Sequence, residues 1–256
     1  MEETNQNGDN GKSDYAKYLD SDFPLLKEFR DKCPGTFKHS QEVASMAEGV
    51  IMKLGYDPTK IKVAATYHDV GKMFHPDYFT ENQLDEDNPH DKLDPYVSYM
   101  LISRHVSDTA LILQQWEFPS EIIRLACQHH GTSVVRYFFD KSEKSDLEDK
   151  FRYKGEKPQS VESMVLMLCD CISARSRSVI QAAGREEFDP AKLIQDTYNE
   201  LEQDRQISEV VMKLGDVATL KEALAKELEG SFQKRVDYNK AKEEKKKEKE
   251  KQKEEE

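Results

Sequence analysis

Five successive apolar stretches of this chain each carry an imidazole or a carboxylate where a helix should bury hydrocarbon. That pattern limits the fold more than any other feature. His39 opens the stripe of Val43, Met46, Val50 and Leu54, and His68 and Asp69 interrupt "KVAATYHDVGKMF". His105 falls near the middle of the helical stretch that starts after Asp94. His129 and His130 end the run of Ile122, Leu125 and Ala126, and Asp170 lies inside "MVLMLCDCI". A polar or ionised group taken into a core without a partner is expensive. Scattered, these groups would destabilise any core; gathered at one point, they satisfy one another around metal ions.

The apolar residues recur at helical spacing, and alternating strand patterns are scarce. Val97, Met100, Leu101 and Val106 form a further stripe, and Val161, Val165, Leu168 and Ile172 another. Ile61 to Phe74 reads as one part-buried helix; Leu193 to Leu214 and Val217 to Leu228 read as two more. "VVRYFF" is the one short strand candidate and fits helix better. Asp57-Pro58, Asp94-Pro95 and Asp189-Pro190 are start signals, with aspartate capping free amides and proline in the first turn. The expected fold is all-α: a disordered or linker arm over 1–22, a helical domain with C-terminal helices over 23–239, and a charged low-complexity tail over 240–256.

The formal charge of −12 argues against a non-specific nucleic-acid binder, so no DNA partner is expected. The tail is not its source, since from Lys240 it holds eight lysines and seven glutamates. An anionic substrate therefore needs a local positive charge, which metal ions would supply. No apolar run is long enough to span a bilayer and no signal-peptide pattern opens the chain. A cytoplasmic location is expected, and four cysteines without regular spacing fit a reducing compartment.

Imidazole and carboxylate ligands without thiolate suit Fe, Mn, Co, Ni or Zn rather than Mg or Ca. Seven groups exceed the needs of one tetrahedral ion and suggest two ions bridged by a carboxylate. Such a pair suits phosphoryl chemistry.

His39, the pair His68-Asp69 in "HDVGK", and Asp170 resemble the H…HD…D signature of the HD-domain phosphohydrolases. His105 and the "HH" at 129 and 130 are similar to the extra ligands of the two-metal branch. "PGTFKHS", "YHDVGKM", "NPHDKL", "QHHGTS", "FRYKGEKPQS" and "LMLCDCISARSRS" follow, in order, segments of the cytoplasmic domain of PgpH-type seven-transmembrane HD receptors. That resemblance covers about residues 23 to 183 and implies a helical HD domain with a dinuclear site, Mn or Fe being the expected ions.

Residue by residue, it implies that His39, His68, Asp69 and Asp170 hold one ion. Asp69 bridges, and His105, His129 and His130 complete the second site. Lys72 would aim its ammonium at the substrate phosphate, Gly71 would permit close helix approach, and His90 would lie on a loop over the site. His75 falls outside the set. The implied reaction is hydrolysis of cyclic di-AMP to linear pApA by a metal-bridging hydroxide. The alternatives are a cyclic di-GMP or other oligonucleotide phosphodiesterase, or a non-catalytic cyclic-dinucleotide sensor. "QHHGTSVVRYFF" lacks the Gly-Tyr-Pro of the cyclic di-GMP branch. Relatives of this type are membrane-anchored, so the chain reads as an excised cytoplasmic domain or a free-standing relative.

Overall fold

A computed structural model describes residues 15–83, 87–184 and 188–232. The predicted tail at 240–256 and most of the N-terminal arm lie outside them. The described residues form a bundle of α-helices and short 3-10 turns. The α-helices are α1 (Pro24–Lys32), α2 (Pro34–Lys53), α3 (Thr59–Tyr67), α4 (Pro95–Ser103), α5 (His105–Gln115), α6 (Ser120–Cys127), α7 (Arg136–Lys141), α8 (Val161–Ala183) and α9 (Pro190–Gln203). A further helix, α10, spans 214–232. No strand is named among them, and "VVRYFF" divides between an isolated bridge, Val134 to Arg152, and α7.

The start signals act as read. Asp94 and Asp189 accept from the amides of Tyr96 and Lys192, and Asp57 accepts from that of Thr59. The stripes of α2, α6 and α8 are buried in one core, together with Leu220, Leu224 and Leu228 of α10. The stripe assigned after Asp94 is wrong. Val97 and Met100 are exposed, and α4 instead buries Ser98 and Tyr99, because the helix breaks at Arg104 and its faces cannot continue into α5. Tyr99 joins Phe138 and Phe151 in a small separate cluster.

Two other expected helices are also interrupted. Ile61 to Phe74 is α3 followed by the 3-10 helix Val70–Phe74, with His68 and Asp69 at the junction. Beyond α9, Arg205 adopts positive φ and the chain turns before α10, leaving Leu214 on the surface. The N-terminal arm needs correcting too: Ala16–Leu19 is a 3-10 helix, and Tyr18 is buried with its ring 4.0 Å from Phe118. Apolar burial therefore begins before Phe23. Among the described residues no helix is long and apolar enough to cross a membrane.

Gly71 is where α5 meets the His68–Phe74 segment most closely. A Cβ there would stand 2.1 Å from the His105 carbonyl oxygen and 2.5 Å from the Thr109 amide nitrogen. The Gly71 amide donates to Thr109 Oγ1 at 3.0 Å, and that hydroxyl donates on to the His68 carbonyl at 3.1 Å. Because the obstruction is backbone, Gly71→Ala is expected to cost about 3 kcal/mol of stability. A melting temperature equal to wild type would show that the two segments part without loss.

Candidate metal centre

The polar residues that looked misplaced in the sequence converge. His39 comes from the second turn of α2 and Asp170 from the middle of α8, the two long helices that face each other. The others sit where helices end. Asp69 leaves the helical region (φ −110°, ψ 11°), so His68 and Asp69 both turn inward. His105 is the first residue of α5, immediately after the break at Arg104, not the middle of a helix. His129 and His130 follow α6 and are turned by Gly131, whose φ of 51° suits glycine.

Asp69 divides its two oxygens. Oδ1 faces His105 Nε2 at 3.2 Å and His129 Nε2 at 3.6 Å; Oδ2 faces His68 Nε2 at 3.4 Å and His39 Nε2 at 4.0 Å. The ligand atoms of Asp69, His105, His129 and His130 all lie within 4.8 Å of one another, and so do those of His39, His68 and Asp69. Asp170 reaches both sets as well, with Oδ1 at 2.8 Å from His39 Nε2 and Oδ2 at 3.9 Å from His130 Nδ1. The resemblance gave it to the first set alone.

Whether these atoms suit a cation is tested by their hydrogen bonds. His68, His105 and His129 each donate Nδ1–H to the carbonyl three residues earlier: Ala65 at 2.7 Å, Ile102 at 2.6 Å and Ala126 at 2.6 Å. That bond commits Nδ1 to the carbonyl and aims Nε2 at the centre, the usual support of a metal-ligating histidine. His68 Nε2 and Asp69 Oδ1 are buried with no hydrogen-bond partner, although imidazoles crowd around them. Orphaned acceptors on this scale are costly, and divalent ions would satisfy them. The residues fit.

Electrostatics agree. Burial works against ionisation of Asp69 and Asp170, yet Lys72 and His68 hold the first, and His39 and His68 the second, well below the usual carboxylate range. Burial disfavours the charged form of His68, but the two carboxylates beside it hold its pKa up at about 10, so a cation taking Nε2 would displace a proton from it. Burial pushes His129 and His130 down, keeping them neutral and able to ligate.

The centre opens into a cavity of about 590 Å³. Lys72 lies at its wall, where its ammonium contacts Asp69 Oδ2 at 2.8 Å and Glu81 Oε1 at 2.9 Å and rests over the Phe79 ring. Glu81 was not foreseen; it is also bound by the Thr36 hydroxyl at 3.0 Å. Tyr153, another cavity residue, stacks on His130 with centroids 4.3 Å apart. Arg177 enters from α8. None of the three stands in an apolar run, so periodicity gave no signal for them.

His90 is not part of this wall. It is buried, its Nε2–H donates to the Tyr78 carbonyl at 2.9 Å, and its ring packs 4.9 Å from Phe138. Its place is between loop and small cluster, which corrects the expectation of substrate contact. His75 is exposed and belongs neither to the ligand groups nor to the cavity lining. The region after Asp189 supports the site from behind: buried Gln206 accepts from the Thr132 amide at 2.9 Å, and Asp204 pairs with Arg152 at 2.9 Å.

A helical bundle closing histidines and aspartates from five segments around a divided carboxylate is the arrangement of the HD domain. The chain belongs to that family, whose model matches residues 36–175. Within it, the similarity is to PgpH. The chain is 38% identical over 221 residues to "Cyclic-di-AMP phosphodiesterase PgpH" of Bacillus subtilis (strain 168), covering 85% of this chain and 31% of the relative. The protein of that name from Listeria monocytogenes serotype 1/2a is 34% identical over 218 residues, covering 84% and 30%. The crystal structure of the L. monocytogenes PgpH HD domain superposes with a TM-score of 0.75 at 35% identity, covering 82% of this chain and 99% of that one. The same domain in complex with cyclic-di-AMP gives 0.75 at 34%, with the same coverage. The chain thus spans about a third of the length of the curated relatives it matches.

Proposed function

We propose that this chain is a metal-dependent phosphodiesterase that opens cyclic di-AMP to linear pApA. One observation carries the reading: the two oxygens of Asp69 face two separate sets of histidines, inside a cavity large enough for a nucleotide. The relatives named as cyclic-di-AMP phosphodiesterases, and the neighbour solved with that nucleotide, give the substrate class.

His39, His68, Asp69 and Asp170 would hold one ion; Asp69, His105, His129 and His130 would hold the other. Two divalent ions, with Mn or Fe suited to this donor set, would supply an activated water and neutralise charge on the phosphoryl group. The protein's own groups do the rest. The carbonyls of Ala65, Ile102 and Ala126 hold three imidazoles in the ligating tautomer. Lys72, kept charged by Asp69 and Glu81 despite its burial, offers a cation at the cavity wall where negative charge accumulates during displacement. Tyr153 covers His130 and limits water at that side.

The test is direct. Protein loaded with Mn is incubated separately with cyclic di-AMP and cyclic di-GMP, and the products are resolved by chromatography. Conversion of the adenine compound to pApA, faster than any conversion of the guanine compound, is expected. Equal or faster cleavage of cyclic di-GMP would transfer the assignment to that substrate. Binding without cleavage would make the chain a sensor.

A further inference from the structure

On α8, Asp170, Ala174, Arg177, Ser178 and Gln181 all line the cavity. Their spacing places them on one helix face, so the stripe runs along the cavity wall starting from the candidate metal centre at Asp170. The cations differ between them. Lys72 is paired with two carboxylates. Arg177 has no carboxylate within ion-pair distance among the described residues; its Nη2 donates to His39 Nδ1 at 2.9 Å.

That single bond is conditional. His39 Nδ1 can accept only while the ring's proton is on Nε2, where it is shared with Asp170 Oδ1 at 2.8 Å. If Nε2 ligates an ion, the ring proton belongs on Nδ1, and a donor then faces the guanidinium. Arg177 keeps its charge and its five donors but loses this acceptor. It is left in the cavity, one imidazole ring away from the ions.

A cyclic dinucleotide carries two phosphodiesters. Bound ions would neutralise the one that reacts; the other must enter a cavity walled by Asp69, Glu81 and Asp170. We propose that Arg177 binds this second, non-scissile phosphate, a planar fork matched to phosphate oxygens. The proposal rests on the cyclic dinucleotide reading above. It makes Arg177 the residue by which the site prefers a substrate with two phosphates over one with a single phosphate.

The test compares wild type, Arg177→Ala and Arg177→Lys, all metal-loaded. The kcat/KM is measured for cyclic di-AMP and for bis(p-nitrophenyl) phosphate, which has one phosphate. Affinity for a non-hydrolysable phosphorothioate cyclic di-AMP is measured by calorimetry, and metal content and melting temperature are checked on each protein. Arg177→Ala is expected to lose on the order of tenfold or more in both affinity and kcat/KM for the dinucleotide relative to the monophosphate substrate, with metal content retained. Arg177→Lys should recover part of the loss. Parallel losses on both substrates with fewer ions bound would mean that Arg177 acts only through His39, and no change on either would also overturn the proposal. A wild-type protein that neither binds nor cleaves cyclic di-AMP would instead overturn the functional reading, and the proposal with it.

Discussion

Asp69→Ala is expected to bring turnover below about one-thousandth of wild type, since a carboxylate bridging two ions would contribute several kcal/mol of transition-state stabilisation. Asp69 Oδ2 faces His68 and His39 and its Oδ1 faces His105 and His129, whereas Asp170 comes within ion-pair distance of the second set only at His130, at 3.9 Å. Removing Asp69 should release both ions together, not one. His75→Ala is the control: His75 is exposed and belongs to none of the candidate ligand groups, so its turnover should match wild type. Steady-state kinetics and elemental analysis on both variants check this. Comparable losses from the two substitutions would mean that the ligands have been misassigned.

Lys72→Ala should lower kcat by about 10²–10³-fold while KM moves little, because its charge matters most where negative charge grows during attack. The geometry sharpens this expectation. An ion held by Asp69 would compete with the ammonium for that carboxylate, and Glu81, itself anchored by Thr36, would remain to hold Lys72 in the cavity. Kinetics under saturating metal separate the possibilities. A raised KM with kcat intact would show that Lys72 binds the ground state and contributes nothing further to the displacement.

The seven candidate ligands, which the fold brings together, were legible because each contradicts its surroundings. Asp170 between cysteines in an apolar helix, or His129 at the end of an apolar run, makes sense only if something in the interior needs it. The helix breaks were not legible. Neither Tyr67–His68 nor Arg104 carries a proline or glycine, so the pattern ran on as one helix through points where the metal ligands demand a turn. For the same reason the Val97 and Met100 stripe failed: it assumed one helix axis where the chain uses two. Glu81 and Arg177 were missed for the opposite cause. They stand among polar neighbours, as surface residues do, and only the packing of the 3-10 segment Thr80–Asn82 and of α8 against α2 shows that they face the cavity. His90 misled because a histidine in a loop resembles a ligand, whereas its bond to the Tyr78 carbonyl and its packing on Phe138 give it a structural task.

The proposed sharing of Asp69 by two ions is the feature on which the functional reading depends, and counting them is the most direct check. The protein is purified anaerobically, reconstituted with Fe or Mn, freed of excess metal and subjected to elemental analysis. About two ions per chain are expected from the two ligand sets around Asp69. One ion or fewer would contradict the dinuclear centre.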